Sequence, residues 1–448
     1  MTYRKKKAGI SGIMWKNKKH KEQKLKKKTL IGRLCGLFLA AVTVLSVSGT
    51  AVYADYKAAT LSDAKKGLPL FYSSLSPDEQ NIYVHLRQGV MNNSEKISTI
   101  ALKNADSYNA ICELMLYNDD LAFNLGGISA ESTAAGTTFT PTYAIDNFTY
   151  SIMLDEMEKK AEKIAKKARR IGDEYSRIVY IHDEIAENCE YFPENDPEAY
   201  IGYTHYAYGA LVEGRAVCQG YSAAFSYVCR LSGIQCITVL GTSRGVSHSW
   251  NKVLCDNKWY NVDVTWDDSV SNFRDNLERD HFMLSDMDIA KDHTAKPLAG
   301  TYYPADETRD YYVENELCAD NNSDAMKMLE KLLTAEAETG GLSAAIKLAD
   351  SRAYRNFINH IEYSDRAAMK KLLGRVKKAS GAALKTNSVW YFSDPEQRTV
   401  TAVLVYEGSS ISDYFNYPEL IEEDDLKNYK NLGLKTDIPE TKEEAAKK

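Results

Sequence analysis

Three side chains whose types are suited to nucleophilic catalysis lie in the middle of the sequence: Cys218, His248 and Asp263. A cysteine thiolate attacks carbonyl carbons, an imidazole takes up and returns the proton, and a carboxylate fixes the tautomer of the imidazole. Each residue type taken alone is ordinary in a folded protein. In this order they predict thiol catalysis, provided that the fold brings the three together.

Residues 218–231 predict a helix whose apolar face includes Phe225 and Leu231 and which Gly233 would end. Cys218 would lie at the N-terminus of this largely buried helix. Unpaired backbone N–H groups and the positive end of the helix dipole stabilise a thiolate there. The same N–H groups are also suited to binding an oxyanion.

Two strands are predicted at residues 248–255 and 258–265, joined by the dipeptide Asp256–Asn257. A two-residue turn places Trp250 opposite Asp263. His248 and Asp263 then become diagonal neighbours on one face of the sheet, about 7–8 Å apart between backbones. A loop longer by one residue would separate them, because it would turn one strand over.

The segment around these residues resembles the bacterial transglutaminase-like domains of the papain-like cysteine peptidase superfamily. The resemblance covers roughly residues 170–296. It implies that Cys218 is the nucleophile, His248 the base and Asp263 the orienting acid, and Ser249 stands where alanine is more usual. The matching motifs are Tyr206 to Gly214, Val217 to Tyr221, Gly233-Ile234, His248 to Asn251, Trp259 to Asp268, His281 to Asp286, Lys291 to Thr294, Ile181 to Asp183 and Tyr191.

For several other side chains in this region, the sequence leaves a functional and a structural role open. Tyr208 is either a donor to the oxyanion or a core tyrosine, and Trp250 either walls a substrate cleft or packs the hairpin. His182 lies on the apolar face of its helix, which favours a packed histidine. His281 and His293 lack a carboxylate or cysteine at metal-ligand spacing, so no metal and no cofactor are predicted.

The pattern of the chain predicts an α+β protein. Its central part would be a papain-like or transglutaminase-like core, in which the nucleophile helix packs on an antiparallel sheet. The predicted parts are a leader at 1–54, a mostly helical extension at 55–169, the catalytic domain at 170–300, a linker at 301–338, a small α/β domain at 339–430 and a polar tail at 431–448.

The leader carries the basic charge of the protein. Residues 1–54 contain 13 basic residues and one acidic residue, whereas the other 394 residues contain 43 basic and 61 acidic residues. Such an acidic body argues against a nucleic-acid partner. A Lys-rich stretch, an uncharged segment from Leu34 to Ala54 and small residues at its end predict a cleaved signal peptide or a retained anchor. The predicted location is therefore extracellular, either secreted or tethered to the outer face of the cytoplasmic membrane, with membrane contact only through the anchor.

The predicted function is that of an exported thiol enzyme that acts on amide bonds of proteins or peptides, including cell-wall or surface-associated ones, through a thioester. The second half-reaction stays open between transfer to an amine and hydrolysis, because cleft shape and water exclusion decide it. A cysteine peptidase with the same triad is one alternative. A non-catalytic cell-surface binding module on the same fold is the other.

Overall fold

The computed structural model describes residues 58–192, 203–269, 277, 279–296, 303–365, 367–387, 390–414 and 430–431. The predicted leader and nearly all of the predicted tail lie outside this part of the chain, so both stay predictions. Among the described residues, every helix is too short or too polar to cross a membrane.

The N-terminal region contains a three-stranded antiparallel sheet in addition to its helices. Helices still make up most of the regular structure of this region, and its three strands lie between residues 97 and 143. The polar stretch at residues 126–142 forms a hairpin, because its β-branched threonines suit a strand and Phe139 packs into the core. The elements are α1 (Leu61–Ala64), a 3₁₀ turn (Leu70–Ser74), α2 (Pro77–Met91), β1 (Ile97–Thr99), α3 (Ala105–Tyr117), β2 (Leu125–Thr133), β3 (Gly136–Tyr143) and α4 (Asn147–Ala168).

A buried ion pair holds this region together. Arg87 on α2 donates from Nε to Asp119 at 2.6 Å and from a terminal nitrogen to the other carboxylate oxygen at 2.9 Å. Tyr83 donates its hydroxyl to the same carboxylate at 2.5 Å. Both charged side chains are 0% exposed, so the loss of either one leaves an uncompensated charge in the core.

The central region is an α+β unit in which one helix packs on a four-stranded antiparallel sheet, as predicted. The elements are α5 (Glu174–Ala186), β4 (Glu190–Tyr191), a π turn (Gly209–Glu213), β5 (Arg215–Ala216), α6 (Cys218–Leu231), β6 (Cys236–Ser243), β7 (Val246–Cys255), β8 (Lys258–Val262), α7 (Val264–Ser269), α8 (Asp286–Ile289) and β9 (His293–Lys296). The order of the strands in the four-stranded sheet is β8-β7-β6-β9.

The first turn of α6 is fixed against its surroundings. A Cβ atom on Gly220 would lie 2.2 Å from the carbonyl oxygen of Thr204, so only glycine fits this close approach. The hydroxyl groups of Ser222 and Ser249 lie 3.0 Å apart, and Asn251 donates to the carbonyl of Ser222 at 2.9 Å. These bonds join the start of α6 directly to β7.

The predicted hairpin register is confirmed. Cys255 pairs with Lys258, and the two turn residues, Asp256 and Asn257, have φ of 48° and 64°. These positive values belong to a type I′ turn. The prediction that the second strand continues to Thr265 is wrong, because β8 ends at Val262 and the chain turns into α7.

The C-terminal unit is larger than predicted. Residues 301–338 were expected to form a linker, but β10 pairs in parallel with β11, and Leu329 and Leu333 on α10 are fully buried in one core with Ile346. The strands Trp390–Asp394 and Thr399–Val403 form a hairpin, with Asp394 opposite Thr399. The elements are α9 (Tyr311–Glu314), β10 (Cys318–Ala319), α10 (Asn322–Thr339), β11 (Ser343–Leu348), α11 (Ser351–Asn359), a π turn (His360–Ser364), α12 (Ala367–Ser380), β12 (Trp390–Asp394), β13 (Thr399–Val403), a 3₁₀ turn (Ile411–Tyr414) and β14 (Lys430–Asn431), with sheet order β10-β11-β13-β12-β14.

Candidate active site

The structure brings the three predicted residues of the site together. Cys218 is the first residue of α6, and its thiol lies close enough to His248 on β7 to contribute to the raised pKa of that imidazole. The Nε2 atom of His248 lies 2.6 Å from Oδ2 of Asp263. Because Asp263 engages Nε2, the nitrogen that remains for the thiol is Nδ1.

Asp263 lies at the junction of β8 and α7, and its two oxygens have different partners. Oδ1 accepts the backbone N–H groups of Thr265 and Trp266 at 3.0 and 3.2 Å, which caps α7. Oδ2 accepts from His248 and, at 3.0 Å, from Nε2 of His293. The backbone therefore fixes Oδ1, whereas the partners of Oδ2 are the two imidazoles.

Burial and charge act in opposite directions on this pair. Burial alone would raise the pKa of Asp263, but the neighbouring His248 and His293 hold it well below its usual value. Burial alone would lower the pKa of His248, but the charge and hydrogen bond of Asp263, with a smaller contribution from Cys218, raise it to about 10. His248 is therefore favoured in its imidazolium form beside the thiol at neutral pH.

A continuous series of histidines and aspartates extends from the candidate site into the core. We call it the His–Asp chain. Consecutive members are joined by contacts of 2.5 to 3.5 Å between a ring or guanidinium nitrogen and a carboxylate oxygen. In order, its members are His248, Asp263, His293, Asp292, His281, Asp267, His182, Asp183 and Arg279.

The histidines of this chain lie between carboxylates. His182 is 0% exposed, and its two nitrogens each lie 3.0 Å from an oxygen of Asp183 or Asp267. Burial would lower its pKa, but the two carboxylates raise it to about 8. The pKa of His281 and that of His293 are also raised by their aspartates against the effect of burial. The chain thus favours alternating positive and negative charges.

The His–Asp chain was not predicted from the sequence. The prediction of a packed histidine at His182 agrees with its buried position against Phe282, at 5.0 Å between ring centroids. The prediction that His281 and His293 lack a carboxylate at metal-ligand spacing is wrong for the folded protein, because both contact Asp292. The available signal was the concentration of histidine and aspartate in residues 263–293.

Some of these side chains lie close enough together to hold a cation. In the described part of the protein, three groups have candidate ligand atoms within 4.8 Å of one another. In the two groups that belong to the His–Asp chain, nitrogens and oxygens already bond one another, so a cation would replace those bonds. The absence of a metal stays a prediction. The three groups are His248/Asp263/His293, His281/Asp292/His293 and Glu174/Cys255/Asp256.

The two weaker site predictions turn out differently. The hydroxyl of Tyr208 donates to Glu156 on α4 at 2.9 Å, so it has a structural partner, and the oxyanion role stays a prediction. The placement of Trp250 at a cleft wall is corrected, because the side chain is 1% exposed. Its ring stacks beneath His248 with centroids 6.3 Å apart and donates from Nε1 to Asn261 at 3.0 Å.

Comparison with known proteins identifies the class of this domain. Residues 162–264 match the Transglutaminase-like superfamily model. This segment contains α6 and β6 to β8, and thus all three predicted site residues. The protein therefore contains a transglutaminase-like domain.

Two curated relatives match parts of this region. The mouse kyphoscoliosis peptidase is 31% identical over 93 residues, covering 17% of this chain and 14% of the relative. The human kyphoscoliosis peptidase is 39% identical over 61 residues, covering 11% of this chain and 9% of the relative. The match thus spans only about a seventh of the mouse relative and less of the human one.

Solved structures show a weaker likeness. A TGase is 17% identical with a TM-score of 0.24, covering 32% of this chain and 44% of the other. The periplasmic domain of TgpA from Pseudomonas aeruginosa is 14% identical with a TM-score of 0.21, covering 29% and 53%. At these scores the likeness carries no argument about activity.

Proposed function

We propose that this protein is an exported thiol enzyme that acts on amide bonds of proteins or peptides. Cys218 is the nucleophile, His248 the general base and acid, and Asp263 the group that orients His248. The observation that supports the proposal is the position of His248, whose Nε2 lies 2.6 Å from Asp263 and whose pKa is raised by Asp263 and by the neighbouring Cys218 thiol.

Before the first half-reaction, Nδ1 of His248 already holds the thiol proton, because the imidazolium is favoured at neutral pH. The sulfur attacks the amide carbonyl carbon, the C–N bond breaks, His248 gives this proton to the leaving amine, and a thioester remains on Cys218. Backbone N–H groups at the start of α6 are suited to the oxyanion of the tetrahedral intermediate. Asp263 stabilises the imidazolium until it gives up this proton.

In the second half-reaction, a nucleophile attacks the thioester and the sulfur leaves as thiolate. A lysine amine gives a cross-link, whereas water gives proteolysis or deamidation. The name of the curated relatives, kyphoscoliosis peptidase, favours hydrolysis, and the superfamily model favours neither outcome. A non-catalytic surface module is the competing proposal, although such a module has no need of a thiol, an imidazole and a carboxylate in contact.

Export is part of the proposal and depends on the order of charge and hydropathy in residues 1–54. A Lys-rich segment comes before an apolar one, and Val52 and Ala54 place small residues where a signal peptidase would cut. Cell fractionation of the producing organism, with the N-terminus of the mature chain determined by mass spectrometry, tests this part. A mature chain that begins at Asp55 supports secretion, and an intact chain found only with soluble cytoplasmic proteins contradicts export.

The chemistry is tested with a glutamine-containing protein and a labelled primary amine. We expect the purified chain to give covalent label together with released ammonia, new chain termini, or released ammonia without label, corresponding to transfer, proteolysis and deamidation. Cys218→Ala should abolish all three products. Cys229→Ala is the matched control, because Cys229 lies on the same helix and is fully buried.

Reactivity of the thiol gives an answer that does not depend on the substrate. We expect Cys218 to be alkylated by iodoacetamide at pH 6, where ordinary thiols are almost unreactive, and His248→Ala to remove this advantage. Peptide mass spectrometry separates Cys218 from the other cysteines. Ordinary thiol behaviour in both proteins would favour the binding module over the enzyme.

A further inference from the structure

One carboxylate oxygen of Asp263 accepts hydrogen bonds from two imidazoles. His248 and His293 approach Oδ2 with their Nε2 atoms at 2.6 and 3.0 Å, and their ring centroids lie 5.3 Å apart. An ionised carboxylate only accepts hydrogen bonds, so His293 must donate to it. His293 is 3% exposed, and the triad alone does not require it.

His293 is held from its other side as well. Its Nδ1 lies 2.5 Å from Oδ1 of Asp292, and Oδ2 of Asp292 accepts from His281 at 3.1 Å. The ring is therefore fixed by two carboxylates and donates at both nitrogens. The backbone supports this placement, because His293 begins β9 and pairs with Ser243 on β6.

We propose that His293 is a positioning residue. By donating a hydrogen bond to Oδ2 of Asp263, it holds that oxygen where it also accepts the hydrogen bond from Nε2 of His248. The proposal depends on the proposed function, since it assigns a further residue to the same thiol chemistry. His293 acts through Asp263 and touches neither the thiol nor a substrate.

The surroundings of His293 limit the other roles open to it. Trp250 meets its ring edge to face at 5.0 Å, and the His281 ring lies 5.7 Å away. Arg244 places a guanidinium nitrogen 3.6 Å from Asp292. The charged and titratable groups near the ring are thus Asp263, Asp292, His248, His281 and Arg244, and Asp263 is the one through which His293 reaches the site.

Two amide substitutions separate the two nitrogens of His293. The amide nitrogen of glutamine reaches the position of Nε2 and can donate to Asp263, whereas that of asparagine reaches the position of Nδ1 and can donate only to Asp292. The readout is the rate of iodoacetamide alkylation of Cys218 from pH 5 to pH 10 in the full chain. His281→Asn is the matched control, because His281 is equally buried and shares Asp292 without touching Asp263.

We expect His293→Asn to slow alkylation at pH 6 about tenfold and to raise the pH midpoint by about one unit. His293→Gln should stay within about threefold of wild type, and His281→Asn should keep the wild-type midpoint. If His293→Asn does not fold, Asp292→Asn replaces it, since it removes the negative charge and one of the two acceptor oxygens that hold the His293 and His281 rings. The midpoint of this variant should rise in the same direction.

The proposal is overturned if His293→Asn, or Asp292→Asn in its place, keeps the wild-type profile. It is also overturned if His293→Gln and His281→Asn shift the midpoint as much as His293→Asn does, because the role would then be structural only. Failure of the proposed function looks different. In that case wild type itself lacks the reactivity at pH 6, and His248→Ala changes nothing.

Discussion

Replacing Asp263 by asparagine tests the electrostatics of the site directly. The charge of Asp263 and its hydrogen bond are the main causes that raise the pKa of His248, from 6.5 to about 10, against the effect of burial. In Asp263→Asn the amide can still cap α7 through its oxygen. Its NH₂ group would then donate to Nε2 of His248, which moves the ring proton to Nδ1, where it faces the thiol and cannot accept a proton.

The expected magnitude follows from the pKa of His248. A fall from about 10 to 6.5 is about 3.5 units, or about 5 kcal/mol between the two protonation states. At pH 8 the imidazolium fraction would drop from about 99% to about 3%. Without the imidazolium, a free thiol is ionised to only about 0.3% at pH 6, so alkylation of Cys218 at that pH should slow by about two orders of magnitude.

The assay is the pH dependence of Cys218 alkylation, with the unfolding midpoint measured on the same samples. Asp268→Asn is the matched control. Asp268 is a partly buried aspartate of α7, but it accepts from the hydroxyl of Tyr221, and burial raises its pKa to about 7. An Asp263→Asn protein that is folded and alkylated at pH 6 as fast as wild type would refute the electrostatic account.

Three further predictions concern stability and are measured by urea unfolding. Asp119→Ala should lower the free energy of unfolding by about 3–5 kcal/mol, because it leaves Arg87 charged and unpaired in the core. The double variant with Arg87→Met should recover part of this loss, because it removes the unpaired charge. Free energies that simply add in the double variant would contradict the ion-pair argument. The pKa of His182 is raised to about 8, so its contribution of about 2 kcal/mol is complete below pH 6.5 and lost as the pH rises through 8. The difference in unfolding free energy between wild type and His182→Gln should therefore shrink by that amount from pH 6 to pH 9, and a constant difference would argue against the charge on the ring. Gly220→Ala should destabilise the protein, because the added Cβ clashes with backbone at the start of α6. Gly374→Ala should stabilise it by about 0.5–1 kcal/mol, because Gly374 lies on α12 with open space around it. Equal effects of the two substitutions would contradict the steric account.

Local rules allowed the geometry around the nucleophile to be predicted from the sequence. The turn Asp256–Asn257 fixes the register of β7 and β8, and this register determines which residues share a face. The helix beginning at Cys218 follows from its apolar periodicity. Each of these predictions depends on contacts between residues that are close in sequence.

The sequence patterns failed where distant contacts decide the structure. The threonine-rich stretch became a hairpin because β1 pairs with β3, and residues 318–338 joined the C-terminal unit because Leu329 and Leu333 pack against its sheet. In the His–Asp chain, His182 and Asp267 are separated by 85 positions. Spacing along the chain cannot indicate a bond of that kind.

The divided role of Asp263 affects how related sequences should be interpreted. Oδ1 caps the N-terminus of α7, and Oδ2 accepts hydrogen bonds from the imidazoles. Because the cap stabilises the fold, folding alone would favour an aspartate at this position even after activity had been lost. An intact acid in a homologue would therefore be poor evidence for a working enzyme. Among the contacts described above, the thiol of Cys218 has no structural role of this kind. Replacement of the cysteine would therefore be better evidence that a homologue has become a binding protein.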